Sequence, residues 1–84
     1  MKYIVYILEC ANKSFYTGIT TDLKRRFREH QSGKGGRFTA ANRPIAIRYS
    51  EECLSRGAAT KREAEIKGWR RAEKEVLIKR MLRT

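Results

Sequence analysis

The chain opens on an unbroken apolar run in which Tyr3, Val5 and Ile7 alternate with Ile4, Tyr6 and Leu8. Both faces of an extended segment over residues 3–9 are therefore apolar, as in a strand covered on both sides. Ala11-Asn12-Lys13-Ser14 supplies the polar residues of a turn, and Phe15-Tyr16-Thr17-Gly18-Ile19 reads as a second short strand, so the two predict a hairpin. The period then lengthens. Thr21-Asp22 offers a cap, and Leu23, Phe27 and His30 recur at helical spacing up to a stop at Gln31-Ser32-Gly33. Beyond the glycine-rich stretch and a short Phe38–Asn42 segment, Pro44 precedes a third alternating strand, Ile45-Ala46-Ile47-Arg48-Tyr49. From about Ala58 the pattern is helical, broken softly at Gly68, with Val76, Leu77, Met81 and Leu82 as the apolar stripe of a last helix. The order β-β-α-(α)-β-α-α predicts an α+β domain, a small three-stranded antiparallel sheet flanked by helices on both faces.

Length narrows this picture. Eighty-four residues suit one domain over residues 1–84, with a thin core that hides roughly 60–65% of the unfolded chain's surface. Apolar residues make up 40% of the chain, enough for a folded core. No run of 18 apolar residues occurs, which excludes a membrane helix. The first apolar run meets Glu9 too soon for a signal peptide, and no small-residue cleavage site follows. Cys10 and Cys53 lack CxxC or Cys/His spacing, so a zinc site is unsupported and a disulfide is possible but unneeded. A reducing cytoplasm is the expected location.

Charge adds the partner. Twenty Lys and Arg against nine Asp and Glu give +11 and a pI near 10.3, with the excess spread along the chain. A folded domain this basic repels itself unless a polyanion compensates, and nucleic acid is the commonest. The alternative is a ribosome-associated or merely basic protein.

Three features stand apart from ordinary core and surface. Arg26 and His30 lie four apart and within about 60° of Leu23 on the first helix, so they share its inward face. Arg26 either snorkels, its stem covering apolar surface, or meets an anion, a carboxylate from elsewhere or a phosphate. Glu63 shares a face with Ala59 and Ile66 while Glu65 and Lys67 point outward, so its carboxylate is a salt-bridge partner for something like Arg26 or a ligand for a hard cation. Tyr6 and Tyr16 are the third feature, either core aromatics or a functional pair. Hairpin parity decides whether they meet: a two- or four-residue loop sends them to opposite faces. The odd loop Ala11-Asn12-Lys13 pairs residue 8 with 16 and puts both tyrosines on one face. The segment Gly33-Lys34-Gly35-Gly36-Arg37 lacks GxxxxGK[ST] spacing, so no nucleotide cofactor is indicated. It reads instead as a flexible basic loop whose Lys34 and Arg37 touch backbone phosphate. Phe38 next to it reads as core packing rather than a base-stacking ring.

Taken together these positions resemble the GIY-YIG nuclease superfamily, and within it the small stand-alone bacterial (YhbQ-like) members. Ile4-Val5-Tyr6 stands at the first motif, Tyr16-Thr17-Gly18 at the second. Leu23-Lys24-Arg25-Arg26-Phe27-Arg28-Glu29-His30 is similar to the L-x-x-R-[LF]-x-x-H helix, and Ala59-Thr60-Lys61-Arg62-Glu63 to the A-x-x-x-E helix. Each motif is short; four in the right order and context carry the resemblance over roughly residues 3–67. The chain departs from it at Ile4, where the family has glycine, and at Ile19, where several relatives have a basic residue.

The resemblance implies a metal-dependent endonuclease that hydrolyses DNA phosphodiester bonds, in repair or recombination, using one Mg²⁺ or Mn²⁺. It makes Tyr16 the general base, Arg26 the phosphate-stabilising cation and Glu63 the metal ligand, with Tyr6 and His30 sharing the proton transfer. Lys24, Arg25, Lys34 and Arg37 are the residues expected to bind nucleic acid. Hydrolysis needs an in-line water, a base, and positive charge where negative charge grows. Two other readings stand beside the enzyme: a nucleic-acid-binding module of the same fold with little or no turnover, and a structural protein whose Arg26 and Glu63 pair. No base reader is evident, so backbone shape is the expected recognition element. The pattern does not set the oligomeric state.

Overall fold

The apolar run at the start becomes the centre of a sheet because it alone is covered on both sides. The computed structural model, which describes residues 2–82, contains β1 (Tyr3–Cys10), β2 (Phe15–Thr20) and β3 (Pro44–Cys53) in the order β2-β1-β3, all antiparallel. Val5 to Cys10 are all buried, the apolar ones at 1% exposure or less. Four helices follow the expected order: α1 (Leu23–Gln31), α2 (Arg37–Ala41), α3 (Arg56–Lys67) and α4 (Arg71–Leu82).

Alternation divides β1 between two layers. Val5 and Ile7 join Ala59 and Ile66 of α3 and Ile78 of α4 in the main core, edged by Tyr3, Phe15, Ile19, Tyr49 and Trp69. Each fully buried aliphatic side chain contributes about 1.5–3 kcal/mol, a large share of the stability of a domain this small. Tyr6, Leu8 and Cys10 face the other way, where α1 and α2 supply His30 and Thr39.

The hairpin has the odd loop. Cys10 N–H donates to Ser14 O and Lys13 N–H to Cys10 O, both at 2.9 Å. Lys13 takes a left-handed φ of 73°, and Asn12 Oδ1 accepts from Ser14 N–H at 3.1 Å to hold the turn. The register that results is Leu8 opposite Tyr16 and Tyr6 opposite Gly18. On the other side of β1 the pairing with β3 shifts between Ile7 and Leu8, leaving Arg48 opposite no residue, and Arg48 Nε donates to Glu9 Oε1 at 2.6 Å.

Capping starts the two helices that flank the sheet. Asp22 Oδ1 accepts from Arg25 N–H, and Ser55 Oγ accepts from Ala58 N–H, each at 3.1 Å. Gly68 closes α3 where the pattern weakens. The apolar stripe of α4 differs from the expected one. Ile78 and Leu77 face the core, while Val76 and Met81 are 50% and 41% exposed; the Leu82 side chain lies outside the described residues. Cys10 and Cys53 are both unpaired thiols, set at opposite ends of the sheet.

Candidate active site

Hairpin parity assembles the site. Tyr6 and Tyr16 share the α1 face with ring centroids 6.4 Å apart. Such close approach needs space on the strand between them, and Gly18 provides it. A Cβ there would stand 2.5 Å from Tyr6 Oη and 3.2 Å from Tyr16 Cε2. The glycine that permits contact is thus in the second motif, directly across from Tyr6, and the Ile4 departure leaves the pair intact.

Helix α1 brings His30 and Arg26 over the two rings. His30 is completely buried, its Nε2 2.9 Å from Tyr6 Oη and its Nδ1 2.7 Å from Thr39 Oγ1 of α2. Its ring centroid lies 4.9 Å from that of Tyr16. Arg26, one turn earlier, donates through Nη1 to Glu29 Oε1 and through Nη2 to Gly35 O, each at 3.0 Å, and its positive charge acts on Tyr6. His30 thus links Tyr6 of β1 to Thr39 of α2 through its two ring nitrogens, beside the Arg26 guanidinium.

Burial pushes the Tyr6 phenol up to about 12, opposed by the neighbouring Arg26 and reinforced by Tyr16 and Glu63. Burial, then the Arg26 charge, pulls the His30 imidazole below its ordinary 6.5, so it is neutral at physiological pH. Tyr6 is therefore a protonated, hydrogen-bonded phenol at neutral pH. The Tyr16 hydroxyl is partly exposed and makes no hydrogen bond among the described residues.

Glu63 comes from α3, the layer on the opposite face, yet its charge acts on Tyr6. Its side chain is 20% exposed and accepts a 3.4 Å ion pair from Lys67. Arg26 does not pair with it. The Arg26 carboxylate partner is Glu29, three residues along the same helix, where side chains are neighbours. Lys67, expected to point outward, reaches back along its helix to Glu63. Among the described residues no three His, Cys, Asp or Glu side chains gather as a cation cage. A single half-buried carboxylate fits a hard divalent cation that keeps most of its waters and takes remaining ligands from a substrate phosphate.

Lys24, Arg25, Lys34 and Arg37 are exposed, and among the described residues Arg25 alone of them makes an ion pair, a 4.0 Å contact to Glu29. The glycine-rich segment is less free than its composition suggests. Gly35 is buried under His30, where a Cβ would meet Nδ1 at 2.2 Å, and its carbonyl holds Arg26. Phe38 is the reverse: 42% exposed, and stacked on Tyr16 with centroids 6.0 Å apart. Thr39, Gly35 and Lys74 carry no sequence signal for the site; Lys67, four residues after Glu63, does.

Comparison with known proteins identifies the family and the fold. Residues 2–76 match the family described as GIY-YIG catalytic domain. A UPF0213 protein of Syntrophus aciditrophicus is 47% identical over 79 residues, covering 93% of this chain and 91% of that protein. One from Streptococcus sanguinis is 44% identical over 78 residues, with 93% and 90% covered. The solution NMR structure of a UPF0213 protein from Bacillus halodurans superposes with a TM-score of 0.60 at 40% identity, covering 94% of this chain and 84% of that one. A solution NMR structure from E. faecalis gives a TM-score of 0.67 at 36% identity, with 100% and 90% covered.

Proposed function

The chain belongs to the GIY-YIG catalytic domain family, and from that premise we propose that it is a divalent-metal-dependent endonuclease hydrolysing DNA phosphodiester bonds. Nucleases of this family act on DNA and generally use a divalent metal. The observation that supports the reading is the gathering of Tyr6, Tyr16, Arg26 and His30 on one face, with Glu63 near enough to act on Tyr6.

Roles follow from the surroundings of each group. Arg26 exchanges Glu29 for the scissile phosphate and donates to a non-bridging oxygen, where negative charge grows as water adds to phosphorus. Tyr16, whose hydroxyl makes no hydrogen bond among the described residues, acts as its phenolate and takes the proton of that water, and the leaving 3′ oxygen is protonated from solvent. Tyr6 and His30, hydrogen-bonded to each other and through His30 to Thr39, share the proton transfer beside Arg26. Glu63 is the residue that would hold Mg²⁺ or Mn²⁺, and such an ion supplies Lewis-acid stabilisation of the leaving 3′ oxygen. Cleavage then leaves a 5′ phosphate and a 3′ hydroxyl. Lys24, Arg25, Lys34 and Arg37 bind backbone phosphates around the site without reading bases.

A second reading, a DNA-binding module with little turnover, has its own observation. The Arg26 charge is answered by Glu29 and that of Glu63 by Lys67, so both groups are neutralised within the chain. Cleavage of branched, nicked and single-stranded DNA with added Mg²⁺ or Mn²⁺ separates the two. The nuclease reading expects metal-dependent products that vanish in Tyr16→Phe and Glu63→Ala. Salt-sensitive binding without products supports the module, and equal products from the variants reveal a contaminant.

A further inference from the structure

Beside Tyr16 the outer edge of β2 opens into a groove of about 260 Å³, most of whose lining has no part in the roles above. It is lined by Phe15, Tyr16 and Thr17 of β2, Phe38 of α2, Lys67 of α3 and Lys74 of α4. Its size is below the roughly 300–1,000 Å³ of drug-sized sites, the scale of one small ring system.

Four observations describe its occupant. Phe38 exposes 42% of its surface and lies within 21° of parallel to Tyr16, so an open aromatic face is held in a fixed plane. Two ammonium groups border that face, and Lys74 makes no ion pair among the described residues. Thr17 is 3% exposed, and its hydroxyl is the one buried side-chain polar atom among the described residues with no hydrogen-bond partner. Finally, Lys67 also contacts Glu63 at 3.4 Å, which makes the groove continuous with the catalytic cluster.

We propose that this groove is a subsite for one unstacked nucleotide, its base on Phe38 and its phosphates at Lys67 and Lys74. The inference rests on the DNA-acting reading above and deepens it. A base inside a duplex has no open face to offer, so the nucleotide held here is unpaired and adjoins the bond being cut. Aromatic stacking of this kind is worth about 1–3 kcal/mol per base, and all four bases supply a π-face.

The test uses the full chain in EDTA, with fluorescence anisotropy on a labelled single strand of about 12 nucleotides and an abasic strand of equal length. Wild type is expected to prefer the base-bearing strand by about 5- to 100-fold. Phe38→Ala abolishes that preference and Phe38→Trp retains it. Lys74→Gln lowers the slope of log K against log salt by about 0.7. Equal affinity of wild type for both strands, or a preference that survives Phe38→Ala, overturns the subsite. Neither readout involves turnover, so a wild type that stacks bases but never cleaves defeats only the nuclease reading. Metal-dependent cleavage without base preference defeats only the subsite.

Discussion

Replacing Gly18 by alanine tests how firmly the tyrosine pair is locked. The added methyl would lie 2.5 Å from Tyr6 Oη, 2.6 Å from Tyr6 Cζ and 3.2 Å from Tyr16 Cε2. Gly18 sits in ordinary strand conformation, outside the left-handed region that Gly33 and Gly36 occupy, so the perturbation is steric alone. Tyr6 cannot step aside cheaply: it is 1% exposed and hydrogen-bonded to His30. Overpacking of this kind costs about 1–3 kcal/mol, and breaking the Tyr6–His30 hydrogen bond adds about 1 kcal/mol. For a domain of this size each kcal/mol lowers Tm by about 4–8 °C, so the variant should melt about 8–30 °C below wild type. Circular dichroism melts and urea titrations measure the loss directly. In a Tyr6→Phe background the hydroxyl contact is gone, and Gly18→Ala should cost about 1 kcal/mol less, a coupling read from the double-mutant cycle. A variant within about 0.5 kcal/mol of wild type, the usual scatter of neutral surface changes, would falsify the locked arrangement.

Three further outcomes follow from the same cluster. Because the His30 pKa is lowered in the fold, the unfolded chain binds the proton more readily, and stability present above pH 6.5 is lost as pH falls through the folded value. Urea titrations between about pH 7 and 5 should show that decline in wild type and a flatter profile in His30→Gln. Tyr6 and Tyr49 are both raised to about 12, chiefly by burial, so their contribution is whole below pH 10 and lost as pH rises toward 12. Phenolate absorbance should report two tyrosines ionising late, and one in Tyr6→Phe. Arg26→Lys keeps a positive charge but not the fork that spans Glu29 and Gly35. Stability should fall by about 1 kcal/mol and cleavage by about 10²-fold, with DNA affinity nearly unchanged; full cleavage by the lysine variant counts against the guanidinium role.

The pattern of apolar positions was enough to place every element in order, because period 2 and period 3.6 are local properties of a chain. It also put Tyr6, Tyr16, Arg26, His30 and Glu63 in view, since each lies on a face that its own element buries. Where reading failed, the answer depended on packing between elements. The glycine-rich segment looked flexible until α1 placed His30 against Gly35. Phe38 looked like core, but α2 is five residues long and leaves the ring half outside. The carboxylate that answers Arg26 is not from elsewhere in the fold but Glu29, a local pair at i, i+3 spacing.

What the amino-acid order settled alone is the sequence of strands and helices, the basic character and the residue types available for phosphate chemistry. Whether those residues meet was decided in three dimensions. A three-residue hairpin loop turned both tyrosines to one face, and a missing Cβ at Gly18 let them close. The hydrogen-bond chain through His30 ends on Thr39 from a helix that no spacing rule connects to β1. Side-chain direction alternates residue by residue along a strand, so one residue more or less in a loop reverses every contact beyond it. That parity is a property of the closed turn, which exists only once the strands have paired.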